Sequence, residues 1–198
     1  MKIKEITAMR IIDSRGIPTI EATVTAENGI SGTASVPSGA STGSYGALEL
    51  RDRGKAFNGQ DVTKAIENIL NVISPSLIGK DIFLQKKIDD TIINLNKDKN
   101  KKELGANATL AVSLAAARCG ANVLSIPLFR YIGGISGNIL PCPMMNILNG
   151  GKHADNNCDI QEFMIIPCFS EDFFETIRAG CETYYALKSI LKEKGYDT

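Results

Sequence analysis

The stretch Gly105 to Asn122, GANATLAVSLAAARCGAN, carries so little side-chain bulk that neighbours can approach its backbone closely on several sides at once. Alanine is the strongest helix former and presents only a methyl group, so the segment predicts a helix buried at the centre of a core. Ser113 within it reads as structural. Other elements of this chain must therefore wrap around that helix.

The material for wrapping lies upstream. From Ile3 to Val36 the period is near two: Ile20, Ala22 and Val24 fall on one face of a strand, Glu21, Thr23 and Thr25 on the other. Glu27-Asn28-Gly29 marks a hairpin, since Asn and Gly tolerate positive φ, and Ile30, Ala34 and Val36 resume the alternation. Three antiparallel strands are expected. After a glycine-rich loop, Pro37 to Gly46, the period turns helical. Val62, Ala65, Ile66, Ile69 and Ile73 form a stripe behind Asp61 as N-cap, and Ser74-Pro75 ends the helix. A second helix carries Leu84, Ile88, Ile92 and Leu95, Asn96 to Lys102 is a solvated lysine-rich loop, and Pro127 to Tyr131 forms a short helix.

Gly133-Gly134 through Asn138 is the expected domain boundary. Beyond it, Pro143 to Asn149 and Phe163 to Pro167 read as strands joined by a turn-rich loop. A long helix follows, with Ser170 as cap, Glu171 and Asp172 in an acidic first turn, and Phe174, Ile177, Cys181, Tyr184, Leu187 and Leu191 on an apolar stripe. Lys192, Lys194 and Gly195 close it.

Bulk properties narrow the partners. A hydrophobic content of 43% over 198 residues suffices for one good core or two small ones. Twenty-two basic residues against 22 acidic ones leave no net field to gather nucleic acid or an anionic membrane. The five cysteines, at positions 119, 142, 158, 168 and 181, lack the paired spacing of a zinc site or a secreted disulfide framework and read as reduced, mostly buried thiols. The N-terminus lacks a signal-peptide core, and no apolar run reaches membrane-spanning length; a cytoplasmic protein is expected.

Two segments carry possible chemistry. The loop PSGASTGSYG, Pro37 to Gly46, combines glycine hinges with hydroxyl groups and could fold over a phosphate or hydrated metal ion; it could equally be a plain connection. The only histidine, His153, follows the Gly150–Gly151 turn and precedes Gln161 and Glu162, which open an apolar strand. A carboxylate where a buried strand meets a cavity needs a cation, a metal-bound water or a shared proton. The alternatives are a turn histidine bonded to a carbonyl and a structural ion pair of Glu162 with Arg130 or Lys152.

Four ordered blocks decide the comparison: DSRGIPTIEATV, VPSGASTG followed by ALELRD, LGANATLAVSLA, and LPCPMMNILNGGKHADNNCDIQEFMIIP. Together they resemble enolase, the phosphopyruvate hydratase family, along nearly the whole chain. The resemblance implies an α+β N-terminal domain of three antiparallel strands followed by helices, residues 1–137, then the first two strands and first long helix of an incomplete α/β enolase-type barrel, residues 138–198. It implies a glycolytic lyase that reversibly dehydrates 2-phospho-D-glycerate to phosphoenolpyruvate. Two Mg2+ ions stabilise the intermediate formed when a lysine removes the C2 proton. The lid serine corresponds to Ser41, a ligand of the second magnesium. His153, Gln161 and Glu162 correspond to residues lining the substrate pocket near the leaving hydroxyl, with His153 and Glu162 in catalytic roles. Such enzymes are homo-oligomers, dimers or larger.

Departures from the family pattern set a second expectation. The 198 residues end at Tyr196-Asp197-Thr198, where enolases place the Asp-Glu-Gly-Gly segment with the general acid; the strands bearing three acidic magnesium ligands and the lysine base come later still. General acid–base groups are worth roughly 10²- to 10⁴-fold each, so this chain alone is expected to be inactive. Ile17 stands where asparagine is usual, Gly46 where glutamate is, and Ala111 where glycine is common. The rival readings are a natural short homologue, catalytically dead, acting as a binding or assembly module, and an unrelated small phosphate-binding α/β protein.

Overall fold

A computed structural model describes residues 1–39, 46–96, 101–151, 158–168 and 172–196. The chain divides into two compact units, Met1–Asn138 and Ile139–Thr198.

In the first unit, strands β1 (Ile3–Ile12), β2 (Pro18–Ala26) and β3 (Ser31–Ser35) form an antiparallel sheet in the order β1-β2-β3. The alternation of β2 is realised as read: Ile20, Ala22, Val24 and Ala26 are fully buried while Glu21, Thr23 and Thr25 are only half covered. At the hairpin only Gly29 takes the positive φ, +82°, and Asn28 instead accepts the Ile30 N–H through Oδ1 at 3.1 Å. Ile30 itself lies outside β3 and is exposed.

The helices are α1 (Thr63–Asn68), α2 (Ser74–Leu77), α3 (Gln85–Asn94), α4 (Ala106–Val123) and α5 (Leu128–Gly133). The alanine-rich segment is the central helix: α4 packs on β2 and β3, and Ala108, Ala111, Val112, Ala115 and Ala116 are completely buried. Gly32 on β3 makes the closest approach, since a Cβ there would fall against the backbone of Arg118 and Cys119. Ser113 is structural, donating to Asp89 Oδ1 at 2.7 Å on α3. Among the described residues no single helix is long and apolar enough to cross a membrane.

Two boundary expectations are corrected. The helix does not stop at Ser74-Pro75; a π-turn, Ile69–Ile73, joins α1 to α2 without leaving helical backbone, and Pro75 sits in the first turn of α2. Pro75 has no N–H to donate, and it follows directly on the turn where the α ladder is already interrupted. Nor is Asp61 the cap. Asp52 accepts from the N–H groups of Thr63 at 3.1 Å and Lys64 at 3.0 Å, while Asp61 pairs with Arg10 at 2.7 Å.

The second unit contains a two-stranded antiparallel ribbon, β4 (Met145–Asn149) and β5 (Glu162–Ile165), and the long helix α6 (Phe173–Glu193). Its cap is Asp172, which accepts the Phe174 N–H at 2.8 Å; Ser170 and Glu171 lie outside the described residues. The expected apolar stripe is only partly covered: Phe174, Cys181 and Tyr184 are exposed, Ile177, Leu187 and Leu191 are half-buried, and the fully buried positions are Thr176 and Gly180, the latter against Met145. A ribbon of two described strands meets only part of one helix face, so small residues sit at the closest contact and the large ones are covered only in part. The thiols also depart from expectation. Cys119 is buried and Cys158 half-buried, but Cys142, Cys168 and Cys181 are exposed.

Candidate functional site

The turn that precedes His153 is built by the β4–β5 ladder. Register runs from Met145 opposite Ile165 to Asn149 opposite Glu162, with an irregularity between Asn146 and Leu148. Beyond its last pair, Gly150 N–H donates to Gln161 O at 2.9 Å and Gly151 N–H to Cys158 O at 2.7 Å. Both glycines are required there: a Cβ on Gly150 would run into the carbonyl oxygens of Cys158 and Ile160, and Gly151 has φ +56°. Gln161 and Glu162 are thereby held at the loop end of the ribbon, Gln161 exposed and Glu162 half-buried. His153 and Lys152 lie outside the described residues.

The strand after Glu162 is not buried as expected: Phe163, Met164 and Ile166 are 38%, 48% and 52% exposed. A cavity of about 190 Å³ in this unit lies between β4 and α6, lined by Met145, Ile147, Cys181 and Tyr184 among others, and neither Gln161 nor Glu162 reaches it. The other named partner for Glu162, Arg130, donates to Ile135 O at 2.9 Å and lies over the Phe129 ring.

In the first unit the described part of the glycine-rich loop is its stem, and Ser41 lies outside the described residues. Three charged residues hold that stem. Glu49 accepts the Gly39 N–H at 2.6 Å; Arg51 donates to Ser38 Oγ at 2.9 Å, to Glu49 at 2.6 Å and to the carbonyls of Pro18 and Gln60, both at 2.6 Å. Arg15 donates to Ser38 O at 2.8 Å and is itself braced by Asp13. Sequence reasoning assigned none of these a role. The signal was the charge-dense Glu49-Leu50-Arg51-Asp52 directly after a loop with no charge of its own.

The first loop residue to differ from the family pattern, Ile17, has a modest effect on this geometry. Asp13 Oδ1 accepts the N–H groups of Arg15 and Ile17, both at 2.8 Å, and Gly16 supplies φ +78°, so the turn is made by backbone atoms that any residue at 17 possesses.

Among the described residues no three His, Cys, Asp or Glu side chains converge in a way that could hold a metal ion. Ser41, the residue that the resemblance makes a magnesium ligand, is not among those residues.

Against known families, a model described as "Enolase, N-terminal domain" matches residues 3–132, and one described as "Enolase, C-terminal TIM barrel domain" matches residues 137–198. The first match covers all of β1 through α4 and most of α5. The second begins just before β4.

Proposed function

We propose, because the chain belongs to the enolase family, that its residues serve the reversible dehydration of 2-phospho-D-glycerate to phosphoenolpyruvate, a carbon–oxygen lyase step of glycolysis. The observation that supports this most is that the family matches meet at the junction of the two units and continue through the ribbon bearing Gln161 and Glu162.

In this reading His153 and Glu162 act at the leaving hydroxyl, holding or passing a proton, and Gln161 binds and orients the substrate beside them. Ser41, on the loop whose stem Glu49, Arg15 and Arg51 brace, supplies an oxygen to the second magnesium ion. Magnesium lowers the energy of the developing carboxylate charge when bound, and enolases depend on it generally. The resemblance assigns none of these 198 residues as the general acid, the lysine base or the acidic ligands. We propose that these residues alone turn over no substrate, that the enzyme is cytoplasmic, and that it works as a homo-oligomer.

The coding sequence after the codon for Thr198 tests the site assignment: an Asp-Glu-Gly-Gly segment and later acidic strand ends are expected, and their absence overturns the enzyme reading. A magnesium-dependent assay for phosphoenolpyruvate with the 198-residue chain tests its inertness; turnover at ordinary enolase rates would overturn it.

A second reading is favoured by one observation, the uncovered apolar side chains of β5 on a ribbon of only two described strands. Such edges invite another chain. A short homologue acting as an assembly module would give a stable, inactive oligomer, which the molar mass of the purified chain in solution would reveal.

A further inference from the structure

The end of the β4–β5 ribbon opposite Glu162 carries a pair of thiols. Met145 faces Ile165 as the outermost pair of the ladder, and Cys142 and Cys168 each lie three residues beyond it along their own segments. Their Sγ atoms are in contact at 2.9 Å although the residues are 26 apart in sequence, and both are exposed. Thiols whose sulfurs already touch need only a small shortening to reach the bond length of a disulfide. Pro141, Pro143 and Pro167 flank the two cysteines and have no N–H to donate, so backbone bonds from those positions cannot close this end of the ribbon.

We propose that Cys142 and Cys168 are a modification site: they form a reversible intrachain disulfide by exchange with a small-molecule disulfide such as glutathione disulfide, closing the open end of the ribbon. The steps balance. One protein thiolate attacks a glutathione sulfur, the glutathione S–S bond breaks, and one glutathione thiolate leaves. The second protein thiol loses its proton to solvent and attacks the sulfur of the mixed disulfide, expelling the second glutathione. Two protein thiols are oxidised, one glutathione disulfide is reduced to two thiols, and the two protons end on them. The hydrogen bond with Cys168 holds the Cys142 thiol above its ordinary range, and either thiol can make the first attack, since the other then resolves the mixed disulfide. The other cysteines are placed differently: Cys119 is buried with its Sγ 3.5 Å from Ile30 O, and Cys158 Sγ lies 3.6 Å from Ile160 O.

The test is peptide mapping by mass spectrometry on the folded chain. It is equilibrated with glutathione disulfide, and remaining thiols are blocked with N-ethylmaleimide before digestion. The peptide linking positions 142 and 168 is expected to exceed any other pairing roughly tenfold, as for groups held in contact, and to vanish on adding dithiothreitol. Cys142→Ser should leave a mixed glutathione disulfide on Cys168, and Cys181→Ser should leave the link unchanged. Labelling of both Cys142 and Cys168 by N-ethylmaleimide in the equilibrated wild-type chain overturns the proposal. So does a dominant link from either residue to Cys158 or Cys181. The wild-type map decides the matter even if a variant fails to fold, and it needs no enolase activity.

Discussion

Asn107 organises more backbone than its own. Almost fully buried at the start of α4, it accepts the Leu50 N–H through Oδ1 at 3.1 Å and donates through Nδ2 to the Leu50 carbonyl at 3.2 Å, as a neighbouring strand would. Asn107→Ala removes both bonds and leaves the two Leu50 backbone groups, which are half-buried, without their partner, so it should destabilise the first unit by about 1–3 kcal/mol; the midpoint of urea unfolding measures this. Asp13 makes a prediction about pH. The hydrogen bond from the Ile17 N–H, with further ones from Arg15, holds its carboxyl below the usual carboxylate range against an opposing effect of desolvation. A pKa depressed on folding contributes stability that is fully present above the unfolded value and lost as pH falls through the folded one. NMR titration should therefore find the Asp13 carboxylate ionised at lower pH than in an unfolded DSRGI peptide, and Asp13→Asn should remove that portion of the acid dependence. Coincident titration in chain and peptide would sink the assignment.

At the scale of elements, the tightest fit is strand against helix. A Cβ on Gly32 would come within 2.6 Å of the Cys119 Cα and the Arg118 carbonyl carbon, backbone atoms that cannot swing away. Gly32→Ala should thus force β3 off α4, at about 1–3 kcal/mol for an overpacked core, lowering the denaturation midpoint; an unchanged midpoint would refute the close approach. Asp52→Ala should cost about 0.5–2 kcal/mol as a lost helix cap. The buried alanine helix and the β2 alternation were legible because each is a local pattern whose burial follows from its period. The cap was not, because Asp52 lies eleven residues before Thr63 and only the folded loop brings it there. The π-turn was hidden for a related reason: a Ser-Pro pair ends most helices, and what rescues this one is a ladder irregularity with no residue signature. In the candidate site, the Gly150–Gly151 turn and the place of Glu162 at the start of a strand could be read from residue types. The bracing of the loop stem by Arg15 and Arg51 could not, since those contacts join segments 23 and 13 residues away from Ser38.

Across the whole chain, apolar burial is unevenly shared. Every fully buried large apolar side chain among the described residues, from Ile3 to Val112, belongs to the first unit, whereas the described part of the second buries only small or polar groups such as Thr176 and Gly180. Hydrophobic burial is the main favourable term of folding, so the two units should not open together. Hydrogen exchange followed by mass spectrometry gives the distinguishing measurement. Amides of β2 and α4 should exchange only on global unfolding of the first unit. Those of β4 and β5 should exchange roughly 100-fold faster, equivalent to about 2.7 kcal/mol less opening free energy. Helix α6 should fall between, because its backbone bonds are internal and its i,i+3 and i,i+4 pairs of Arg178 with Glu175 and Glu182 act without the ribbon. Equal protection of both units would mean that the second has stabilisation its buried surface does not account for. Protection of β4 and β5 that rises with chain concentration would instead identify a second copy as the cover for the apolar face of β5.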